Sequence, residues 1–312
     1  MANKTDVVVY GSLNMDFVSY CDHLPVEGET IAANEFLMSP GGKAANQAVA
    51  CAKLGAKVAM VGRIGDDYLG NLMLENLVND GVLTDLVLKT PGYQTGVAMV
   101  NVDSKGHNNI VTYKGANAHL SMEDVRKSKL LLREASAALL QLEMDKQVAE
   151  EIIKTANELD TFIVLNLAPV MALSDETLSM IDVLIINETE AEQLYGNSIN
   201  SIKEVKVCCQ NLYELGMNYL IITLGKDGAV LYYDGKFKHV KPPIVNVIDT
   251  TAAGDCFSAA LTTFWLKFND IELALENAVY ASALSVTKKG AQPSLPTLKD
   301  VSHFLGKGAT HG

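Results

Sequence analysis

The chain has 312 residues, 48% hydrophobic and 20% charged, and its 25 Lys and Arg against 37 Asp and Glu leave a net charge of −12. That composition excludes a disordered or fibrous chain, and the acidity argues against nucleic acid or an anionic membrane as the main partner. No apolar run approaches the roughly 18 residues of a membrane span. Five cysteines (Cys21, Cys51, Cys208, Cys209 and Cys256) without metal-site spacing fit a reduced, cytoplasmic compartment.

In chain order, short apolar runs alternate with stretches of helical period, the pattern of an α/β fold with a mostly parallel sheet. Strands are predicted over Asp6 to Tyr10, Lys57 to Val61, Ala137 to Gln141, Thr161 to Leu165, Val183 to Ile186, Tyr219 to Thr223 and Ala229 to Tyr233. Most lack period-2 alternation, as strands covered on both faces do. Helices are predicted over Ala44 to Leu54, Tyr68 to Asn79, Lys146 to Leu159, Glu188 to Tyr195, Ile202 to Leu215 and Asp255 to Phe268. Gly96 to Val102 and Asn108 to Tyr113 read as a hairpin, with Glu29 to Met38 as a further strand. Together, residues of about 15–38 and 95–114 make a small β lid inserted in a single α/β domain spanning 1–312. Gly306 to Gly312 reads as a frayed tail.

Several turns carry chemistry. In Ser39-Pro40-Gly41-Gly42-Lys43-Ala44-Ala45-Asn46-Gln47, two glycines precede a helix and either make a structural turn or cap, or open its first turn, with Lys43 and Asn46, to a polar ligand. In Asp249-Thr250-Thr251-Ala252-Ala253-Gly254-Asp255, small residues at a helix start form a backbone anion hole. Asp255 beside it is either an N-cap or a general base for a hydroxyl attacking phosphorus. Thr223-Leu224-Gly225-Lys226-Asp227-Gly228 is a tight turn over which a nucleotide can lie, or an ordinary hairpin. Asn187 and Glu190 form a capping box, or hold the water shell of Mg2+. Asn14, Asp16 and Glu143 follow strands at the carboxyl edge, where α/β sheets bind ligands, or are turn-forming residues of the loops there. The Gly-x-x-x-x-Gly-Lys-Ser/Thr loop is absent.

Gly41-Gly42-Lys43-x-Ala45-Asn46-Gln47, Gly65-Asp66-Asp67, Asn187-Glu188-Thr189-Glu190 and Asp249-Thr250-x-Ala252-Ala253-Gly254-Asp255 together resemble the signatures of the ribokinase (PfkB) family of sugar kinases, in order and spacing from about residue 6 to 305. The resemblance implies a three-layer α/β/α fold, a β lid that also joins a homodimer, ATP, Mg2+ and K+, and phosphoryl transfer to the 5-hydroxyl of ribose. It implies that Asp255 is the general base and that the amides of Ala252, Ala253, Gly254 and Asp255 stabilise the transferred group. Asn14, Asp16, Gly42, Lys43, Asn46 and Glu143 would contact sugar hydroxyls, with Ala98 and Ile110 as apolar cover. Asn187, Thr223, Gly225, Gly228 and Gly254 would attend the nucleotide, with Asn187 and Glu190 reaching Mg2+ through water. Asp249, Thr251, Ser285, Lys288, Gly290 and Ser294 match the positions that hold a monovalent cation. The pattern departs at Ala44, where glycine is usual, and at Val279 near the base, where relatives often carry Asn or His and where Asn277 is the nearby polar residue. The alternatives are a kinase for deoxyribose, fructose or a nucleoside, and a silent sugar- or nucleotide-binding protein on the same fold.

Overall fold

The structure, a computed structural model, describes residues 5–308. The amino-terminal half runs β1 (Val7–Tyr10), β2 (Asn14–Tyr20), β3 (Glu35–Gly41), α1 (Lys43–Lys53), β4 (Val58–Gly65), α2 (Tyr68–Asn79), β5 (Leu83–Thr90), β6 (Gly96–Val102), β7 (Asn108–Tyr113), α3 (Met122–Glu134) and β8 (Ala137–Leu140). It continues as α4 (Lys146–Glu158), β9 (Phe162–Asn166), α5 (Asp175–Leu178), β10 (Val183–Asn187), α6 (Glu188–Tyr195) and α7 (Ile202–Tyr213). The chain then forms β11 (Tyr219–Thr223), β12 (Ala229–Tyr233), β13 (Lys236–Val240), α8 (Ala253–Phe268), α9 (Ile271–Ser285) and α10 (Leu298–Gly308).

Nine strands form one sheet in the order β13-β12-β11-β10-β9-β8-β1-β4-β5, parallel from β5 to β11 and antiparallel at β12 and β13. Alternate residues of each central strand enter different cores. Val7 and Val9 of β1 pack with α1, α2, α8 and α9, while Val8 and Tyr10 pack with α3, α4 and α7. Burial on both faces is why these strands read as continuous apolar runs. The result is a three-layer α/β/α sandwich. Strand order reverses beside β1, which has β8 on one side and β4 on the other. The crevice at the carboxyl ends of such strands is where open α/β sheets bind ligands.

A second sheet, ordered β3-β2-β6-β7, carries residues 14–20, 35–41, 96–102 and 108–113. Here the structure corrects the sequence reading. Asn14 and Asp16 lie in a strand rather than a loop, because β2 pairs along its whole length with β3 and β6. The strand expected from Glu29 runs from Glu35 to Gly41 instead, and Pro40 is tolerated because β3 is an edge strand. The expected tail is helical as far as Gly308, and residues 309–312 lie outside the described ones. Phe257, Leu261 and Phe264 of α8 are buried, with Trp265 and Phe268 packed against the same core. All five cysteines are buried free thiols. Among the described residues no helix is long and apolar enough to cross a membrane.

Candidate active site

One side of the site is built where glycines remove side chains. Gly41 and Gly96 both pair with Asn14 across the small sheet. A Cβ on Gly41 would collide with the Asp16 carboxylate, and one on Gly96 with the side chains of Asn14 and Asn117. Gly42 has φ 88°, a conformation glycine adopts freely, and it turns β3 into α1. Asn14 and Asp16, two apart on β2, face the same side. Asn117, in the short 3-10 turn Gly115–His119, accepts the Leu13 N–H at 2.9 Å and donates to Asn14 Oδ1 at 2.8 Å. With its oxygen occupied, Asn14 is left with its NH2 as a donor to a ligand.

Opposite these stand Lys43, which opens α1, Glu143 beyond β8, and Asp255 in the first turn of α8. Burial, with Glu143 and Asp255 nearby, raises the Asp16 pKa to about 7 against the pull of Lys43. Burial works against the Lys43 ammonium, yet Asp255, Glu143, Glu190 and Asp16 together raise its pKa and keep it charged. Ser12 Oγ donates to Glu143. Asp255 Oδ2 accepts from Asn46 Nδ2 at 2.9 Å and Oδ1 from Gln47 Nε2 at 3.2 Å. Burial raises its pKa in spite of Lys43, Asn46 and Gln47.

Asp255 is not an N-cap. The capping position is Ala252, in the left-handed region at φ 59°, and no side chain caps the helix. Asp255 is the third helical residue, with its carboxylate turned to α1. The expected run of amide donors is also narrower than the motif suggests, because Ala253 N–H donates to the Thr250 carbonyl at 3.2 Å. Among the described residues no acceptor takes the N–H of Ala252, Gly254 or Asp255, so these three remain for an anion, favoured by the helix dipole.

Two cavities meet at this helix start. A polar one of about 180 Å³ includes Lys43, Asn166, Asn187, Glu190 and Asp255. An apolar one of about 510 Å³ includes Gly225, Gly228, Pro242, Ile244 and Val279. Thr223, Thr250, Ala253 and Gly254 line both. Asn187 and Glu190 form the predicted capping box, which occupies Asn187 Oδ1 and Glu190 Oε2 and leaves Glu190 Oε1 facing no protein donor among the described residues. Burial raises the Glu190 pKa despite the Asn187 N–H and Lys43. Asn277 does not reach the apolar cavity: it donates to the Leu273 carbonyl at 2.8 Å and lines a separate space beside Lys238. Ala44 is fully buried, and a Cβ on Gly11 would approach its methyl group to 3.0 Å, so the departure from glycine is absorbed in packing.

Asp249 ties two loops together, accepting from Thr251 N at 2.9 Å and from Gly290 N at 2.8 Å. Burial opposes the charge, but these bonds and Lys289 hold the Asp249 pKa below its ordinary value. Lys288 N–H donates to the Ser285 carbonyl at 3.3 Å, which brings these two into the same turn. Ser294 Oγ donates instead to the Ala291 carbonyl at 2.7 Å. On the small sheet, Ala98 pairs directly with Asp16 and is buried. Ile110 lies two strands from β2, paired with Val100, and at 55% exposure it stands apart from the carboxylates.

Sequence reasoning assigned no role to Gln47, Gln141, Asn166 or Asn117. Gln47 lies inside a motif already quoted and Gln141 ends a predicted strand, but amide side chains gain a function only from partners distant in sequence. A buried carboxylate, free amides at a helix start and a cavity of about 510 Å³ converge on one point, the parts that phosphoryl transfer to a small molecule calls for. Residues 4–298 match the pfkB family of carbohydrate kinases, and the chain belongs to that family. It is 38% identical over 302 residues to a ribokinase of Haemophilus influenzae, covering 97% of this chain and 99% of that protein. It is 35% identical over 301 residues to a deoxyribokinase of Salmonella typhi, covering 96% and 98%. Among solved structures, Arabidopsis thaliana ribokinase complexed with ribose and ATP superposes with a TM-score of 0.88 at 33% identity, covering 96% of this chain and 98% of that one.

Proposed function

We propose that this sugar kinase transfers the γ-phosphoryl group of ATP to the 5-hydroxyl of D-ribose. The observation that carries the reading is the Asp255 carboxylate, set between the Asp16, Glu143 and Lys43 cluster and the free amides of Gly254 and Asp255. Ribose lies with its hydroxyls against Asn14, Asp16, Gly42, Lys43, Asn46 and Glu143, with Ala98 beneath and Ile110 as outer cover. Asp255 accepts the proton of the 5-hydroxyl as its oxygen bonds to phosphorus and the bond from phosphorus to the β-phosphate oxygen breaks. The amides and Lys43 balance the charge on the transferred group. The base and ribose of ATP fill the apolar cavity beside Thr223, Gly225 and Gly228.

Mg2+ keeps several waters and few protein ligands. Glu190, with one free carboxylate oxygen, and Asn187 suit such a hydrated ion, and when bound it neutralises phosphate charge. For K+, Asp249 with the loop carbonyls around Thr251, Ser285, Lys288, Gly290 and Ser294 supplies an anionic, oxygen-rich setting. Turnover should therefore be several-fold higher in potassium than in sodium. Equal rates in sodium, potassium and a bulky organic cation would remove this site. We also propose a homodimer through the small sheet, where Phe36, Met38, Met99, Val111 and Tyr113 are exposed on one face. Sedimentation equilibrium reads this directly, with a monomer at all concentrations as the contrary result.

The function itself is tested by incubating the protein with Mg-ATP and a panel of pentoses, hexoses and nucleosides. Ribose should be phosphorylated fastest at low concentration. The second reading is deoxyribose, favoured by the 35% identical deoxyribokinase. It differs by the 2-hydroxyl, which Asp16 is positioned to accept.

A further inference from the structure

We propose that Gln47 is a positioning residue for the phosphoryl-transfer base: it clamps the Asp255 carboxylate in one orientation and keeps it a working acceptor, while Gln141 and Asn166 lock the Gln47 amide. The proposal deepens the kinase reading and rests on it.

Gln47 and Gln141 are fully buried, a costly place for two amides unless their atoms are matched. Gln47 Nε2 donates to Asp255 Oδ1 and to Asn166 Oδ1, each at 3.2 Å. Its Oε1 accepts from Gln141 Nε2. Both amide hydrogens and the oxygen are therefore committed. Turning the amide over would set its oxygen against two acceptors and its NH2 against a donor, so only one orientation is stable. Gln141 completes the chain through its Nε2 alone, its own Oε1 being buried without a partner among the described residues, at a place opened by Gly11, where a Cβ would approach that oxygen to 2.8 Å.

Asn46 contrasts with this. It also donates to Asp255, but its Oδ1 is buried with no partner, so it keeps an acceptor in reserve while Gln47 keeps none. The division assigns Gln47 to the base and leaves Asn46 able to serve a ligand as well. Both donors favour the ionised carboxylate, the form that can take a proton. The other charged and titratable groups facing Asp255 are Lys43 on α1, Asp16 on β2, Glu143 after β8 and the adjoining Cys256, and none is altered by a change at Gln47.

The test uses Gln47→Met, which keeps length and loses every hydrogen bond, and Gln141→Met, which does not touch Asp255. In Gln47→Met, kcat should fall about 10- to 100-fold with KM for sugar and ATP nearly unchanged, and the acid limb of the kcat profile should move up by about one pH unit. Gln141→Met should shift both in the same direction by less. A 13C titration of the Asp255 carboxyl without substrates gives a second readout, in which the midpoint should rise in Gln47→Met. An unmoved midpoint and acid limb, or a rise in KM with kcat kept, overturns the proposal. If Gln47→Met does not fold, Gln141→Met decides by the same two readouts. If the wild-type protein phosphorylates no sugar, the kinase reading fails while the carboxyl titration still decides the role of Gln47.

Discussion

Asp255→Asn should lower turnover by at least about two orders of magnitude, the usual contribution of a positioned general base, while the protein remains folded and binds both substrates. The structure explains why the fold should survive. Asp255 makes no capping bond, so no helix cap is lost. The new amide group meets Asn46 Nδ2 and Gln47 Nε2, both donors, but Asn46 has a buried unpartnered Oδ1 that can turn to accept from it. Steady-state kinetics with calorimetric binding of ribose and ATP separate the two effects. Near-normal turnover would strip Asp255 of its role. A wild-type protein that binds ribose without consuming ATP would favour the silent binding protein.

The second large effect concerns the acceptor. A site that hydrogen-bonds a hydroxyl discriminates strongly against the analogue lacking it, because its buried polar group is then left unpaired. Asp16→Ala should reduce kcat/KM for ribose by about a hundredfold or more and that for deoxyribose far less. Stability should hold, since burial and the nearby Glu143 and Asp255 already disfavour the Asp16 charge. Measuring both sugars with both proteins gives a two-by-two comparison. Equal losses would mean that Asp16 does not read the 2-hydroxyl.

The parts of the fold legible in the sequence were those whose residues are buried whatever their partners. β1, β8, β9, β10 and β11 are apolar because both faces are covered, and α4 and α7 show an apolar stripe. β2 was hidden because its pairing with β6 depends on a strand far along the chain, and β3 was found only with displaced bounds because its residues are half exposed or polar. α9 was missed because apolar residues occupy most of its sides and leave no stripe to find. In the site, Lys43, Asn46 and Asp255 could be picked out beside glycines at helix starts. The amide chain from Gln141 through Gln47 could not, since its meaning lies in contacts such as Gln47 with Asp255, 208 residues apart. The same limit applies to Asn117, whose partner Asn14 is 103 residues away.

The small sheet also has a kinetic meaning. Its two antiparallel pairs, β2 with β3 and β6 with β7, can each close locally, but they are joined only by the parallel seam of β2 with β6, where residue 14 meets residue 96. Such a seam carries a loop-closure cost that neither hairpin bears and gains nothing until α1, β4, α2 and β5 have brought its edges together. Asn14 and Asp16 lie on that seam. The face that carries Asn14 and Asp16, the proposed sugar contacts, should thus form late in folding, after the sheet beneath it.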